Sequence, residues 1–353
     1  MTNKYEVFIK DPATSEIWEV IPKSYNFDEE VSKGFGATFT FSLQELEILA
    51  ETNNTTTENI FTASLREIYI NRNGSKIFYG VVSNYAVSPG TNGDDTLTIK
   101  AVGFLDLFKK ALVGITEKLY FNNVDAGLIG WGLINAYQLS DPPYSDRGIT
   151  QGTIQTSKNR DRGYRIDNVY DQLMKLTNNN LANGIDIEID NTKKYNAYSP
   201  FKGVSRPTVV FDKNTGWGWS YEKQLFLDMT NQAVVVGEGT NEQTIYSVRT
   251  ASTSYRSQFG TLMTKLTADN TTGDDTLEDK GDKELTENQE PMVLVKGVSH
   301  YDDLIAFSDY NVGDIVVLNY PTVGIINQSK RIKKRNFKMA TPNSIAECKL
   351  EFY

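Results

Sequence analysis

The run from Thr276 to Tyr320 restricts the fold more than any other stretch, because it joins a short polar helix to two strands through a Gly-Asp turn. Leu277 and Leu285 stand eight residues apart, so both lie near one face of a helix, and the charged residues between them suit its solvated side. Pro291 ends that helix. A strand, a long loop, the turn and a second strand follow, and the second strand has an unbroken apolar run of Ile315, Val316, Val317 and Leu318.

The first hundred residues have the pattern of short antiparallel strands joined by turns. Two alternating segments within residues 5–20 flank the turn formers Asp11-Pro12 and predict a hairpin. Asn73-Gly74 lies between two alternating apolar segments and predicts a second hairpin. Alternation at 34–43 and 95–102 predicts two more strands. These strands should form an antiparallel barrel or sandwich.

Two helices are predicted to follow this β region. The segment from Phe104 to Leu112 places its apolar residues on one side and its lysines on the other. Residues 123–137 also have helical spacing, but Gly127, Gly130 and Gly132 each lower helix propensity by about 1 kcal/mol relative to alanine. We therefore expect close neighbours at these glycines. Turn-forming composition at 140–152, including Asp141-Pro142-Pro143, predicts the first domain boundary.

The middle of the chain combines a helix with a small sheet. An apolar stripe within 164–180 predicts a helix that three asparagines end. Residues 184–190 then alternate isoleucines with Asp186, Glu188 and Asp190. A row of acids suggests metal binding or catalysis, but the alternation places these carboxylates on the solvent face of a strand. We therefore predict no site there.

The last part of the chain returns to strands, predicted at 232–239, 244–250 and 255–261 and in a final hairpin ending at Tyr353. The basic run 330–335 alternates around Ile332. We expect it on an exposed or edge strand, where positive charges discourage aggregation. Two β regions thus flank a helical and mixed α/β middle, and the predicted fold class is α+β, mainly β.

Charge and length restrict the function. The net charge of −9 over 353 residues argues against a nucleic-acid-binding surface, which requires clustered Lys and Arg. An acidic chain does suit the lining of a conduit through which DNA slides without binding. No apolar run approaches the roughly 20 residues of a membrane span. The N-terminal residues alternate like a strand and lack the apolar core of a signal peptide.

Histidine and cysteine usage argues against an enzyme. His300 is the only histidine, expected in a loop, so every triad or multi-histidine metal site would have to share it. Cys348 is the only cysteine and is expected to be buried. Acidic residues 269–287 lack the ligand spacing of a calcium loop. We predict no catalytic, cofactor-binding or metal-binding residues and no cofactor, although a two-carboxylate glycosidase remains open.

Two groups of residues resemble the baseplate hub, or tail-tip hub, proteins of tailed bacteriophages. At the C-terminal end, Tyr310, Gly313 and Asp314 match a Tyr-x-x-Gly-Asp turn before the strand that closes a small β-barrel in that family. At the N-terminal end, the hairpin at Asn73-Gly74 and the strand 97–103 that enters a helix resemble the tail-tube fold. The resemblance implies two tail-tube-like antiparallel β-barrel domains, with domain limits at 1–103, 104–160, 161–235 and 236–353.

The resemblance also implies a structural role in the virion. In such a family the chain forms a homotrimer, so two barrels per chain present six similar units to a six-fold tail tube. The trimer would face a central spike or fibre and surround the DNA exit channel, which DNA crosses without specific binding. Other implied partners are the tail tube or distal tail protein, the tape measure protein and further baseplate proteins. Synthesis in the host bacterial cytoplasm and assembly at the tail tip follow from this role.

Two other functions remain open at this point. Trp217 and Trp219 could stack on a sugar ring, which suits a glycan-binding or glycan-hydrolysing β protein of the tail. Such tryptophans are also typical anchors of cores and interfaces. A hexameric distal tail or tube ring protein would instead carry one barrel per chain. Counting the chains in a ring separates this last function from the trimeric hub.

Overall fold

A computed structural model of the chain describes residues 3–61, 65–90, 95–141, 145–178, 183–223, 229–237, 246–251, 256–257, 260–268, 274–289, 293–341 and 344–353. Strands dominate these ranges. Those before residue 170 are β1 Tyr5–Lys10, β2 Ile17–Val20, β3 Ser24–Glu30, β4 Gly36–Ser42, β5 Glu67–Arg72, β6 Ser75–Ser88, β7 Thr96–Gly103, β8 Leu112–Val113, β9 Leu119–Asp125, β10 Thr150–Ile154, β11 Asn159–Tyr164 and β12 Asp167–Asn168.

The later strands include the longest one, β22. They are β13 Asp186–Ile189, β14 Lys194–Tyr198, β15 Ser205–Asp212, β16 Trp217–Lys223, β17 Gln232–Val236, β18 Tyr246–Thr250, β19 Met263–Thr267, β20 Val293–Tyr301, β21 Ile315–Tyr320, β22 Ile325–Met339 and β23 Glu347–Phe352. The α-helices are α1 Leu43–Thr52, α2 Thr57–Phe61, α3 Ala126–Gln138, α4 Val169–Lys175 and α5 Asp274–Asn288. Short 3-10 helices cover Phe104–Lys110 and Pro321–Val323. None of the helices in the described ranges is long and apolar enough to cross a bilayer.

One 13-stranded sheet contains strands from both ends of the chain. Its order is β16-β20-β23-β22-β3-β4-β7-β6-β5-β1-β2, and β21 branches from β22 and pairs with β15. Neighbours are antiparallel except for β15 and β21. The long strand β22 pairs with β3 on one side and β23 on the other, which joins the two predicted β regions. No sheet closes within the described ranges, so the predicted barrels are observed as one open sheet.

An aromatic core explains why the two ends of the chain share this sheet. Phe27 on β3 and Phe337 on β22 stack with ring centroids 5.1 Å apart, and Phe27 also contacts Phe78 of β6 at 5.6 Å. All three rings are buried. Burying each such side chain contributes about 1.5–3 kcal/mol, and aromatic pairing adds about 1 kcal/mol. The first and last strands are therefore held by packing as well as by backbone hydrogen bonds.

The middle helix α3 packs against the small sheet formed by β10, β14 and β13. Asp125 caps it, because its carboxylate accepts a hydrogen bond from the backbone N–H of Gly127. A Cβ at Gly130 would lie 2.0 Å from the hydroxyl oxygen of Tyr195. A Cβ at Gly132 would lie 2.7 Å from the ring of Phe121. The prediction that close neighbours require these glycines is confirmed.

A smaller sheet, ordered β18-β17-β19, packs on helix α5. Leu277 and Leu285 are both buried, so the predicted apolar face of this helix is confirmed. Arg249 of β18 forms an ion pair with Asp282 of α5 at 2.6 Å. Pro291, Pro142-Pro143 and 269–273, which supported three sequence predictions, lie outside the described residues.

Three local predictions were wrong in detail. The helix predicted at 104–112 is a 3-10 helix that stops at Lys110, and Leu112 is exposed because Leu112–Val113 pairs with β12 instead. His300 lies in strand β20, paired with Cys348, rather than in a loop. No described residue of 255–261 belongs to a strand, and β19 begins at Met263.

Candidate functional site

A cleft of about 680 Å³ opens where the first, middle and last parts of the chain meet. We call it the central cleft. It is lined by charged residues from all three parts, among them Glu29, Glu188, Lys202, Asp314 and Arg335. Nine charged side chains line this cavity, and their partners decide what the cleft can do.

Arg335 of β22 forms the floor of the central cleft. Its side chain is 4% exposed, and its Nη2 donates a hydrogen bond to the Glu29 carboxylate at 2.8 Å. Its Nη1 donates to the carbonyl oxygens of Phe307 and Tyr310 at 3.2 and 3.1 Å, and the guanidinium carbon lies 3.5 Å from the Phe307 ring centroid. The prediction that the basic run 330–335 lies on an exposed or edge strand is therefore wrong. Strand β22 is flanked by strands on both sides, so its inward arginine must be paired.

Lys202 links Glu29 to the middle of the chain. Its ammonium forms an ion pair with Glu188 and lies 3.5 Å from a Glu29 oxygen. Burial works against the charged lysine, but the two carboxylates outweigh it and raise the pKa of Lys202. Burial likewise disfavours the Glu29 carboxylate, yet Arg335 and Lys202 hold its pKa below the usual range. The four side chains therefore form one charge-balanced network.

Asp186 carries a second ion pair between the middle and the end of the chain. It is 1% exposed, forms an ion pair with Arg331, and accepts hydrogen bonds from the backbone N–H of Lys202 at 2.7 Å and the Ser32 hydroxyl at 3.3 Å. The prediction that the acids of 184–190 lie on a solvent face is wrong at this position. Here the face of β13 that the alternation assigned to water is covered by other parts of the chain.

The predicted Gly-Asp turn fixes the rim of the cleft. One Asp314 oxygen accepts a hydrogen bond from the backbone N–H of Asn311 at 3.0 Å, within the turn, and the other accepts one from the backbone N–H of Val204 at 2.8 Å. Gly313 has φ of +99°, and a Cβ at Gly203 would lie 2.2 Å from its carbonyl carbon. The two backbones approach so closely that a side chain at Gly203 cannot fit without displacement.

Two buried titratable residues, His300 and Cys348, lie close to Arg335 of the cleft. His300 Nε2 lies 2.6 Å from the Tyr310 hydroxyl, and burial lowers the His300 pKa to about 4. Burial raises the pKa of the Cys348 thiol to about 12, so this cysteine is an inert core residue, and its predicted burial is confirmed. Among the described residues no group of three or more His, Cys, Asp or Glu side chains is placed to hold a metal ion.

Paired charges give the central cleft a structural capacity. Each cation described above has a carboxylate partner, and each network connects parts of the chain that are far apart in sequence. Breaking such a buried pair by removing one partner costs about 3–5 kcal/mol. The ion pairs of the central cleft therefore hold the first, middle and last parts of the chain together.

The two tryptophans singled out from the sequence lie in different surroundings. Trp217 is 42% exposed on the edge strand β16, with its ring centroid 5.7 Å from that of Tyr301. Trp219 packs on Tyr320 at 5.2 Å and donates its indole N–H to the carbonyl of Gly216 at 3.1 Å. The structure therefore places Trp217 at the surface and packs the partly buried Trp219 against the core.

No protein-family model and no curated protein sequence matches the chain significantly, whereas several solved structures share its fold. A tail protein from Neisseria meningitidis MC58 is similar over 99% of this chain and 97% of its own, with a TM-score of 0.65 and 10% identity. The 43 kDa tail protein of prophage MuSo2 from Shewanella oneidensis is similar over 99% and 98%, with a TM-score of 0.62 and 11% identity.

A third similar structure comes from a secretion system. The c3393 protein of E. coli matches over 94% of this chain and 73% of its own, with a TM-score of 0.50 and 8% identity. It is described as a component of the type VI secretion system with structural similarity to the tail proteins gp27 and gp5 of bacteriophage T4. The chain therefore has the fold of phage tail and hub-like proteins, and the resemblance seen in its sequence is confirmed at that level.

Proposed function

From this shared tail-protein fold, we propose that the chain is a structural protein of a phage tail tip, a hub that assembles as a homotrimer. Each chain presents two similar β units, residues 1–103 and 236–353, on either side of the segments 104–160 and 161–235. Three chains then offer six such units to a six-fold tail tube and a three-fold face to a spike or fibre. The protein is made in the host cytoplasm, has no enzymatic activity and needs no cofactor.

The observation that carries this proposal is the single sheet that runs through both ends of the chain. Strand β22 pairs with β3 and β23, so strands from both ends of the chain are hydrogen-bonded neighbours in one sheet. The similarity to two tail proteins extends over nearly the whole of both chains, which a shared subdomain alone would not produce. In the proposed hub, this continuous sheet would hold the two β units next to each other.

Each β unit also contributes one unusually long strand. Strand β6 has 14 residues and β22 has 15, against a usual length of five or six. Residues 83–88 at the end of β6 carry no charged side chain, and most of this stretch is exposed. In the proposed trimer the end of β6 lines the channel around the DNA, because a lining without charged side chains neither attracts nor repels phosphates.

Native mass spectrometry of the purified chain tests the proposal. The expected result is a species with the mass of three chains, whereas a species of six chains would support a distal tail or tube ring instead. Co-purification with the tail tube or distal tail protein, the tape measure protein and the spike or fibre of the same phage tests the remaining partners. A chain that is monomeric both alone and with these proteins contradicts the hub.

One observation favours a second function. Trp217 and Tyr301 form an exposed aromatic pair at the sheet edge, which is a geometry that can stack on a sugar. A glycan-binding or glycan-hydrolysing role would require binding or turnover of host cell-wall polysaccharide by the wild-type protein. Replacing Trp217 by alanine should then abolish it, and the partly buried Trp219 provides the comparison. Absence of binding in the wild-type protein refutes this second function.

A further inference from the structure

Three lysines line a second cavity, of about 620 Å³, which borders the central cleft and shares Ser75, Lys76 and Asn191 with it. Lys10 comes from β1, Lys76 from β6 and Lys193 from the turn between β13 and β14. We call this cavity the lysine pocket. The turn residue Asn191 donates a hydrogen bond to the carbonyl of Lys76 at 3.2 Å, which joins the two turns where the pocket borders the cleft.

One buried carboxylate faces these three ammonium groups. Glu67 forms an ion pair with Lys193, lies 3.6 Å from Lys10, and accepts a hydrogen bond from the Tyr79 hydroxyl. Within the described residues no carboxylate forms an ion pair with Lys76. Its ammonium instead lies 4.3 Å from the ring centroid of Tyr79 and 4.6 Å from that of Tyr69. The pocket therefore keeps an excess of about two positive charges in a chain with a net charge of −9.

Both burial and the neighbouring lysines act on the pKa of Lys76. Burial, followed by the charge of Lys10, lowers the Lys76 pKa, and the attraction of Glu67 does not offset these effects. The hydroxyl groups of Ser75 and Thr192 also line the cavity. An ammonium cluster flanked by hydroxyl donors provides the charge-assisted hydrogen bonds that oxyanions accept.

We propose that the lysine pocket binds a small ligand through one phosphate group. A phosphate carries up to two negative charges and three acceptor oxygens, which matches an excess of two charges and three lysines better than a carboxylate does. The volume of the pocket is in the range of small-molecule sites. A long polyanion such as DNA is disfavoured because the protein as a whole is acidic. Inorganic phosphate and a phosphate monoester such as glycerol phosphate share this chemistry.

Calorimetric titration at fixed ionic strength tests this site with three proteins. Inorganic phosphate and glycerol phosphate should both bind the wild-type chain, and Lys76→Gln should weaken both by about tenfold, the scale of losing one hydrogen bond to a charged group. Lys76→Arg keeps the positive charge and should bind within a few fold of wild type. Lys100→Gln, which removes an exposed lysine of β7 far from the pocket residues, should leave binding unchanged.

Additional arms identify the ligand class. Acetate at the same ionic strength should bind much more weakly than phosphate, and glycerol phosphate binding better than inorganic phosphate would assign the site to a phosphate ester. A single-stranded oligonucleotide should not compete with either. The proposal is overturned if the wild-type chain does not bind phosphate, if Lys100→Gln loses as much affinity as Lys76→Gln, if acetate binds equally well, or if the oligonucleotide binds more tightly than both small phosphates. These outcomes are independent of the proposed trimer.

Discussion

Replacing Arg335 by methionine should destabilise the protein strongly, because this side chain connects three parts of the central cleft. Methionine keeps most of the apolar volume beside Phe307 but removes the hydrogen bonds to Glu29 and to two carbonyl groups. Glu29 would then retain Lys202 as its cationic neighbour. The substitution therefore measures how much the charge and hydrogen bonds of Arg335 contribute to stability, with little change in packing.

The size of the effect follows from these contacts. Removing one partner of a buried ion pair costs about 3–5 kcal/mol, and each buried carbonyl left without a donor costs about 1 kcal/mol or more. These terms are not additive, and Glu29 is 24% exposed, so water can solvate it in part. We expect the free energy of unfolding to fall by about 3 kcal/mol. The neighbouring substitution Lys334→Met should cost less than about 1 kcal/mol, because its pair with Asp28 is at the surface.

Urea unfolding, followed by tryptophan fluorescence and by far-UV circular dichroism, provides the measurement. Coincident transitions from the two signals are required before free energies are compared. A double-mutant cycle with Glu29→Gln should give a coupling energy of about 1–3 kcal/mol between the two residues. The reasoning is refuted if Arg335→Met lowers the free energy of unfolding no more than Lys334→Met does, or if the coupling energy is near zero. The ion pairs of the central cleft then do not hold the three parts of the chain together.

Three further predictions concern individual residues. The His300 pKa is about 4 in the folded chain and about 6.5 in the unfolded chain, so the unfolded state binds the proton at a higher pH. The free energy of unfolding should therefore fall as the pH drops from about 6.5 to about 4. The urea midpoint of His300→Gln should fall less over the same pH range. Thermal unfolding should show that Gly203→Ala costs more than 3 kcal/mol and Gly324→Ala only about 1 kcal/mol, since both have positive φ but only the first meets a neighbouring backbone; equal losses would contradict this. Trp219→Ala should cost about 3 kcal/mol and Trp217→Ala less than 1 kcal/mol, and the reverse order in the same assay would refute their assignment to core and surface.

Local patterns predicted much of the secondary structure. Asn73-Gly74 does join two paired strands, residues 5–20 do form a hairpin, and the glycines of α3 do have close neighbours. The two hairpins depend on contacts between residues near in sequence, and the glycines were predicted from their low helix propensity, although a neighbour such as Tyr195 lies far along the chain. Such local signals are visible in the order of side chains, which is why they were read correctly.

The ion pairs of the central cleft could not be predicted in the same way. Arg335 and Glu29 are 306 residues apart, and Arg331 and Asp186 are 145 apart. The alternating pattern placed the basic run 330–335 on an exposed or edge strand and the acids of 184–190 on a solvent face. Such a pattern shows which side chains share a face of a strand, but not what covers that face. The Gly313-Asp314 turn was a local signal at the cleft, but the sequence did not show that Asp314 also accepts a hydrogen bond from Val204.

The rotational symmetry of the assembled particle tests the central claim most directly. Averaged electron-microscope images of the purified ring, viewed along its axis, should show three chains that together form six similar units around a central channel. A ring of six chains with one unit each, or particles that contain a single chain, would contradict the proposal that the two β regions of this protein let a trimer match a six-fold tube.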